Sequence, residues 1–449
     1  MLKADFRLQK ALGAVSVLWF ASLVSAGLAF LTQVVLAREL TPAGYGMFAA
    51  ALATVTLLAP MSGFGVSAFW LKVFGAEGWS AMRWLPASFR FAGLSTTGAL
   101  LLLVAWTAWG PHGALTRQLL YWLLPVTASY LFIRLVGVKL QLEERYGALA
   151  VWQLLPNLAR LLLVLLVFTI IAQASLDIIA AIYALIALAI MIAGFVQVRA
   201  MSQGAFTLKG HAKSTVAEVE RLAIAARVRL SDVTREAWPF GLGGMFHLVY
   251  FQSDIILLKY LKGNEVAGIY NVAFIVMVAV YLLPSAIFQK FLLPKVHRWA
   301  NHDRAQFIQV YRFGNGVMLL LGGITTIAIL LLGPWLIPLL FGTAYREASG
   351  LLAILAFCAP MRFLASSVGA TLVTQEHMRR KTVYMGAVAV VNVLLNLLLI
   401  PVFAAKGAAI ATLLSEITLL ALYLIAVRRH VFGREAWRGW TLRYRNRNV

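Results

Sequence analysis

Long, nearly uninterrupted apolar runs separated by short polar loops recur from near the start of this chain to near its end. Twelve such runs stand out, near residues 12 to 37, 45 to 71, 91 to 110, 118 to 138, 147 to 172, 177 to 198, 237 to 258, 266 to 289, 313 to 333, 348 to 374, 382 to 403 and 406 to 427. Crossing the hydrocarbon of a bilayer as a helix takes about 20 residues. The runs therefore predict an all-α polytopic membrane protein with about 12 transmembrane helices. The first run is too long for the apolar core of a signal peptide and lacks a small-x-small cleavage site, so a permanent helix is expected there.

Composition points the same way. The chain is 61% hydrophobic and 12% charged over 449 residues, whereas a soluble domain carries about 25% charged residues. Of the 39 Lys and Arg residues, thirty fall in segments on the side of the N-terminus and six in the alternating loops. Cytoplasmic loops carry the basic excess, so both termini are expected in the cytoplasm. The net charge of +22 is then mainly a topology signal and a match to anionic membrane lipid, and a nucleic-acid partner is not needed to explain it.

The longest polar stretch, 199 to 236, places Val216, Val219, Leu222, Ala223 and Ala226 at helical spacing with arginines nearby. This predicts an amphipathic helix on the cytoplasmic surface. The chain thus divides into a six-helix bundle over 1–198, the linker 199–236, a second six-helix bundle over 237–427 and a basic cytoplasmic tail, 428–449, expected at the headgroups. The two halves share an order of features: Gln33 to Arg38 and Asp254 to Lys259 end runs one and seven, Ala43-Gly44 and Ala267-Gly268 open the next helices, and Pro60 and Pro284 follow at the same spacing. Arg145 precedes Asn157 as Arg380 precedes Asn392. A parallel repeat of this kind puts a substrate path near the membrane midplane. Pro60 and Pro284 are candidate hinges, or else fixed kinks, because proline removes a helical hydrogen bond.

The segment Ala37-Arg-Glu-Leu-Thr-Pro-Ala-Gly-Tyr-Gly-Met-Phe48 resembles the opening signature of bacterial polysaccharide flippases. These belong to the superfamily that also holds multidrug-and-toxin extrusion transporters and peptidoglycan-precursor flippases. The segment Asp254 through Tyr270, with Leu293-Pro294 and Phe341-Gly342 after it, resembles the start of that family's second half. The resemblance implies turnover of undecaprenyl-pyrophosphate-linked oligosaccharide units across the bacterial inner membrane, driven by an ion gradient, with membrane lipid and the polysaccharide polymerase machinery as partners. It supplies no strict catalytic motif, and the candidate site comes from the residues themselves.

A charge at the bilayer centre costs about 3 kcal/mol unless it faces protein, a partner or water, which singles out Arg160, Arg362 and Glu416. Gln153, Asn157 and Arg160 share one face of run five. Amides and a guanidinium suit sugar hydroxyls and a pyrophosphate, so a substrate-binding stripe is expected; the alternative is hydrogen bonding between helices. Arg362 is a second candidate for the anionic headgroup. Glu416 is a candidate ion-coupling residue or the counter-ion of Arg362. Asp254 is a further coupling candidate, placed near the outer interface in water or paired with Lys259 or Arg38. Asn392 and Asn396, one turn apart on run eleven, are candidates for sugar contact or for helix-helix bonding. Trp19, Trp70, Trp106, Trp109 and Trp122 are expected mostly in the interfacial belt.

No Gly-x-x-x-x-Gly-Lys-Ser/Thr loop is present, so ATP hydrolysis by this chain is not expected, and the histidines and single cysteine show no metal-ligand spacing. No cofactor, metal or enzyme activity is predicted. A drug or cation antiporter of the same superfamily is the nearer alternative, though two mid-depth arginines against one glutamate suit an anionic cargo better. A membrane polysaccharide polymerase or glycosyltransferase is the other, and the short outer loops leave it little room.

Overall fold

The computed structural model describes residues 2–171, 174–211, 228–285, 304–373, 378–437 and 440–442. Among them there is helix and no strand, as expected where the backbone must satisfy itself in lipid. Nine stretches of the described residues are long and apolar enough to cross a membrane, and the shorter apolar helix Asn264–Val280 adds to them. Two of the nine, Pro42–Trp109 and Arg380–Trp437, greatly exceed one bilayer thickness at about 1.5 Å per residue. The chain forms two compact units, Met1–Glu39 with Ala50–Gln252, and Leu40–Ala49 with Ser253–Val449.

The first unit contains α1 (Leu2–Glu39), the body of α2 (Pro42–Leu58), α3 (Val66–Glu77), α4 (Leu85–Trp109), α5 (Ala114–Leu142), α6 (Tyr146–Ile170), α7 (Leu176–Ser202) and the first part of α8 (Leu230–Lys262). α1 packs along α6, and α5 along α7. Run two, expected as one helix, is broken. α2 ends at Leu58, Pro60 occupies a 3-10 turn, and Gly63, Phe64 and Gly65 follow at φ 78°, 23° and 85° before α3 begins. Gly65 is required by a close approach as well as by its φ: a Cβ there would collide with the Ala237 carbonyl oxygen and lie 2.6 Å from the Gly241 nitrogen. Phe64 holds positive φ without that freedom, a strained conformation that only its surroundings maintain. Trp70, expected in the interfacial belt, is instead fully enclosed with Phe69, Phe74, Trp79 and Phe206 in an aromatic core. Trp109, at the end of α4, is 85% exposed and fits a belt position.

The second unit contains the rest of α8, then α9 (Asn264–Val280), α10 (Arg304–Phe341), α11 (Ala348–Ala356), α12 (Cys358–Ala370) and α13 (Met378–Val427), together with the start of α2. Thr41 caps α2 through a bond from the Gly44 N–H to its Oγ1 at 3.2 Å, and Pro42 opens the helix, an arrangement suited to the unpaired first turn. α2 and α9 meet at Gly46 and Gly268, where a Cβ on Gly46 would strike the Asn264 carbonyl and the Gly268 nitrogen, and one on Gly268 the Pro42 carbonyl. The Asn271 amide also donates to the Tyr45 hydroxyl at 2.8 Å. Pro284 is buried in a one-turn helix, Leu282–Ser285, after α9 closes at Tyr281. α13 is 50 residues long only by continuity: Ala404, at φ 50° and ψ −130°, is not helical. A Cβ on Gly407 would collide with the Leu399 carbonyl, so the chain doubles back there. That break lies between the two last apolar runs.

Two helices outrun their apolar segments. α8 starts at Leu230 rather than 237 because Val233 and Ala237 are fully buried in the aromatic core of the first unit. α10 starts at Arg304 rather than 313, and its Phe307 and Tyr311 pack against Phe432 with ring centroids at 4.8 and 4.7 Å. The tail through Thr441 therefore folds back on α10, where the Tyr311 hydroxyl donates to the Ala436 carbonyl and the Thr441 N–H to the Arg312 carbonyl. Most of the expected amphipathic stretch of the linker, with Val216, Val219, Leu222, Ala223 and Ala226, lies outside the described residues, as does Leu293-Pro294.

Candidate functional site

Arg160 lies midway along α6, whose sequence has no other charge. Its guanidinium is stacked 5.0 Å from the Tyr183 ring on α7, and Nη1 donates to Asn157 Oδ1 at 3.3 Å. Asn157 in turn donates to Ser25 Oγ on α1 at 2.8 Å, and Ser25 donates to the Gln153 carbonyl at 3.0 Å. Gln153, Asn157 and Arg160 are thus brought onto one seam as the helical spacing predicts. All three are half-buried rather than open to solvent. No carboxylate is paired with Arg160 among the described residues, and its buried Nε has no hydrogen-bond partner. A cation stacked on a ring face gains about 0.5 to 2 kcal/mol, which offsets only part of the penalty of a mid-membrane charge. The site retains donor capacity for an anion.

A second cluster forms in the other unit. Asp254, expected near water, is 1% exposed. Its Oδ2 accepts from the Tyr270 and Thr412 hydroxyls, both at 2.6 Å, and its Oδ1 accepts from the Asn396 amide at 2.6 Å. Among the described residues of this unit, its hydrogen-bond partners do not include Lys259, and no bond to Arg38 takes their place. Lys259 instead approaches the Tyr260 ring at 4.9 Å. Asn392 and Asn396 are fully buried, and their amides face each other, Ser253 and Asp254 rather than a cavity. The sequence places Asn392 and Asn396 one turn apart on a helix, and the hairpin at Ala404 brings Thr412 back beside them. Asp254 on α8 faces both arms of α13. Asn396 Oδ1 and Asn392 Nδ2 are buried without partners, so the cluster is not fully satisfied as it stands. Tyr270, Ser253 and Ser25 carried no signal in the sequence, since a tyrosine or serine in an apolar run is ordinary packing there.

The third cluster joins Arg362 to Glu416. Nη1 of Arg362 on α12 stands 3.4 Å from Glu416 Oε1 on α13, and its guanidinium lies 5.5 Å from the Tyr281 ring. Glu416 is fully buried and the Arg362 side chain 18% exposed. The pairing that the sequence left open as one of two roles is thus present in the fold. Ser366, one turn along, donates its hydroxyl to the Arg362 carbonyl at 2.9 Å. Of the two hinge candidates, Pro60 lies in the 3-10 turn that interrupts run two, and Pro284 lies in the helical segment Leu282–Ser285, the last described residues before 304. His247 packs on Phe251 with ring centroids 4.6 Å apart.

The helical fold, with charged and amide side chains buried at mid-helix, is shared by solved structures. The chain is similar to the structure titled lipid II flippase MurJ, inward closed conformation, at 12% identity and TM-score 0.70, covering 92% of this chain and 87% of that one. It is also similar to an inward-facing multidrug resistance MATE family transporter of the MOP superfamily, at 13% identity and TM-score 0.67, with 91% and 96% covered. A eukaryotic MATE transporter, AtDTX14, matches at 13% identity and TM-score 0.62 over 97% and 98%. The chain belongs to the polysaccharide biosynthesis protein family, whose profile matches residues 12–298. No curated protein sequence matches it significantly.

Proposed function

We propose that this protein turns undecaprenyl-pyrophosphate-linked oligosaccharide units over the bacterial inner membrane for cell-surface polysaccharide synthesis. The observation that carries this reading is Arg160: a guanidinium at mid-helix, with no carboxylate partner among the described residues and one buried nitrogen unpaired, in a chain of the polysaccharide biosynthesis family. The pyrophosphate is the natural counter-charge, because guanidinium offers paired donors to phosphate oxygens. Gln153 and Asn157 supply amides beside it for sugar hydroxyls, while the prenyl tail stays in lipid. Arg362 is the second cation on offer to the headgroup, partly committed to Glu416. Removing the protein is expected to leave complete lipid-linked repeat units on the cytoplasmic leaflet. Unpolymerised units already exposed on the outer face would point to a polymerase instead.

In this reading the apolar stretches form twelve spans as two six-helix bundles, with a linker over 199–236 and both termini cytoplasmic. The supports are the basic bias of the loops and the non-helical break at Ala404, which divides the longest helix into two arms. In a variant with Cys358 replaced, Ser202→Cys and Arg445→Cys, introduced singly, should resist a membrane-impermeant thiol reagent in intact spheroplasts and react after lysis. Labelling of either without lysis overturns the topology.

Turnover against a concentration gradient requires a coupled ion, and the Asp254 cluster is the better-built place for it. Asp254, Asn392, Asn396 and Thr412 converge as oxygen-bearing side chains, with no cationic side chain paired to the carboxylate among the described residues. A proton on Asp254, or a sodium ion accepted after a half-turn of the Asn396 amide, would complete the cluster. Oxygen sets of this kind near broken helices are where secondary transporters hold coupling ions. Glu416 is the other acidic candidate, and its pairing with Arg362 makes it the less suited of the two.

A further inference from the structure

The break between α2 and α3 borders a cavity of about 120 Å³ within the first unit, lined by Ser62, Gly63, Ser67, Tyr130, Arg134 and Gly241 among others. Three independent features converge on it. The first turn of α3 contributes Ser67 and Ala68 to the lining, and its N-cap is Gly65 with no side-chain cap. In that first turn the Val66 N–H is taken by the Gly63 carbonyl at 2.8 Å, while Ser67 and Ala68, which line the cavity, receive no side-chain cap at the positive end of the 12-residue helix. Ser62 is 4% exposed, and its buried Oγ has no hydrogen-bond partner. Arg134 uses Nε and Nη2 on the Tyr130 hydroxyl, at 3.1 and 2.9 Å, and lies over that ring at 5.1 Å. Its Nη1 carries no bond to another described residue. No Asp or Glu lines the cavity.

A helix N-terminus, an unpaired hydroxyl and a guanidinium held by its neighbour with one arm spare form a donor set without an acceptor of matching strength. Such a set is made for an anion, and discontinuous membrane helices commonly aim their N-termini at anionic groups. We propose that this recess binds the phosphate of a lipid headgroup, at a site separate from the Arg160 seam. Arg134 is eight residues before the last residue of α5, Leu142, about 12 Å from that helix end, a depth that a lipid-borne phosphate reaches without leaving the membrane. The pyrophosphate linkage of a lipid-carried cargo and the phosphodiester of an anionic phospholipid share this chemistry. The site does not depend on which glycan is carried.

The test uses the purified full-length protein in nanodiscs of phosphatidylcholine, titrated separately with sugar-free polyprenyl pyrophosphate and with phosphatidylglycerol, bound lipid being counted by native mass spectrometry. Arg134→Gln is expected to weaken polyprenyl pyrophosphate by roughly tenfold or more, Arg134→Lys by less, and Ser62→Ala by a few-fold. Weakening confined to the pyrophosphate assigns the recess to cargo, and equal weakening for phosphatidylglycerol assigns it to bulk anionic lipid. Both results uphold a phosphate site. Unchanged affinity for both lipids in all the variants that retain the wild-type melting profile overturns it. Should Arg134→Gln fail to fold, Ser62→Ala and Arg134→Lys decide alone. The Arg134 and Ser62 variants are measured both alone and in an Arg160→Gln background; the same fold-loss in both belongs to this recess, so a failure here and a failure of the Arg160 reading are distinguishable.

Discussion

Arg160→Gln is expected to reduce glycan export by two orders of magnitude or more while the protein still reaches the membrane at near wild-type abundance. Stability and transport respond differently. Removing the charge relieves the cost of a cation at mid-helix, so stability should hold. Among the described residues, the substitution breaks one bond to Asn157 and the stacking on Tyr183. The effect on transport is greater, because hydrogen bonds to charged groups contribute about 1.5 to 3 kcal/mol each and a phosphate takes two from one guanidinium. Arg160→Lys keeps the charge without the planar fork and should fall between. Export is read from surface polysaccharide in cells lacking the native copy, against abundance in the membrane fraction. A wild-type rate from Arg160→Gln at normal abundance rules out the basic-site mechanism for this chain.

At Asp254 the expected outcome is the reverse of a packing effect. Asp254→Asn keeps the shape of the cluster, since the Tyr270 and Thr412 hydroxyls can rotate to accept from an amide. It removes the charge that an ion would neutralise. In proteoliposomes, headgroup turnover by Asp254→Asn should lose its response to an imposed proton or sodium gradient, a change of roughly tenfold or more if the coupling energy is of ordinary size. Asp254→Ala should additionally lower stability by about 1 to 3 kcal/mol for each buried donor left without an acceptor. The doubly neutral Arg362→Gln, Glu416→Gln protein serves as the contrast. Breaking one side of a buried ion pair is strongly destabilising, by about 3 to 5 kcal/mol, and removing both sides restores an uncharged core. That protein should fold and retain the gradient response. Full coupling in Asp254→Asn removes the cluster from the mechanism, and loss of coupling in the double variant moves the ion to Glu416.

Fold and site were legible to different depths. The i, i+4 and i+7 spacing of Gln153, Asn157 and Arg160 survived folding because a helix carries its own periodicity, and the chain could not place those side chains on different faces. The same reasoning put Asn392 beside Asn396. It left their surroundings open between sugar contact and helix-helix bonding and misjudged those of Asp254, because depth along a run says how far a residue lies from the membrane edge and nothing about what encloses it. Trp70 failed in the same way: its position suggested an interface, and only the packing of α3 against the inner aromatic core made it a core residue. The break after Pro60 was signalled by Pro60, Gly63 and Gly65, yet the approach of Gly65 to α8 was not, since the partners are 172 and 176 positions away in the chain.

The sequence by itself determined the class of this protein. Apolar runs of membrane length, a charge bias between alternating loops and the two family-like segments are local or additive properties, and a bilayer reads them directly. Tertiary structure decided which polar groups meet. Asp254 finds Asn396 and Thr412 only because the chain reverses at Ala404, and Arg362 finds Glu416 only because α12 and α13 pack together. Ser62 and Arg134 border one recess only because α3 starts where α5 passes. In lipid, where apolar surfaces are interchangeable, polar meetings of this kind fix partner and register, and they are set by backbone breaks and close glycine approaches that no run of hydrophobic residues encodes.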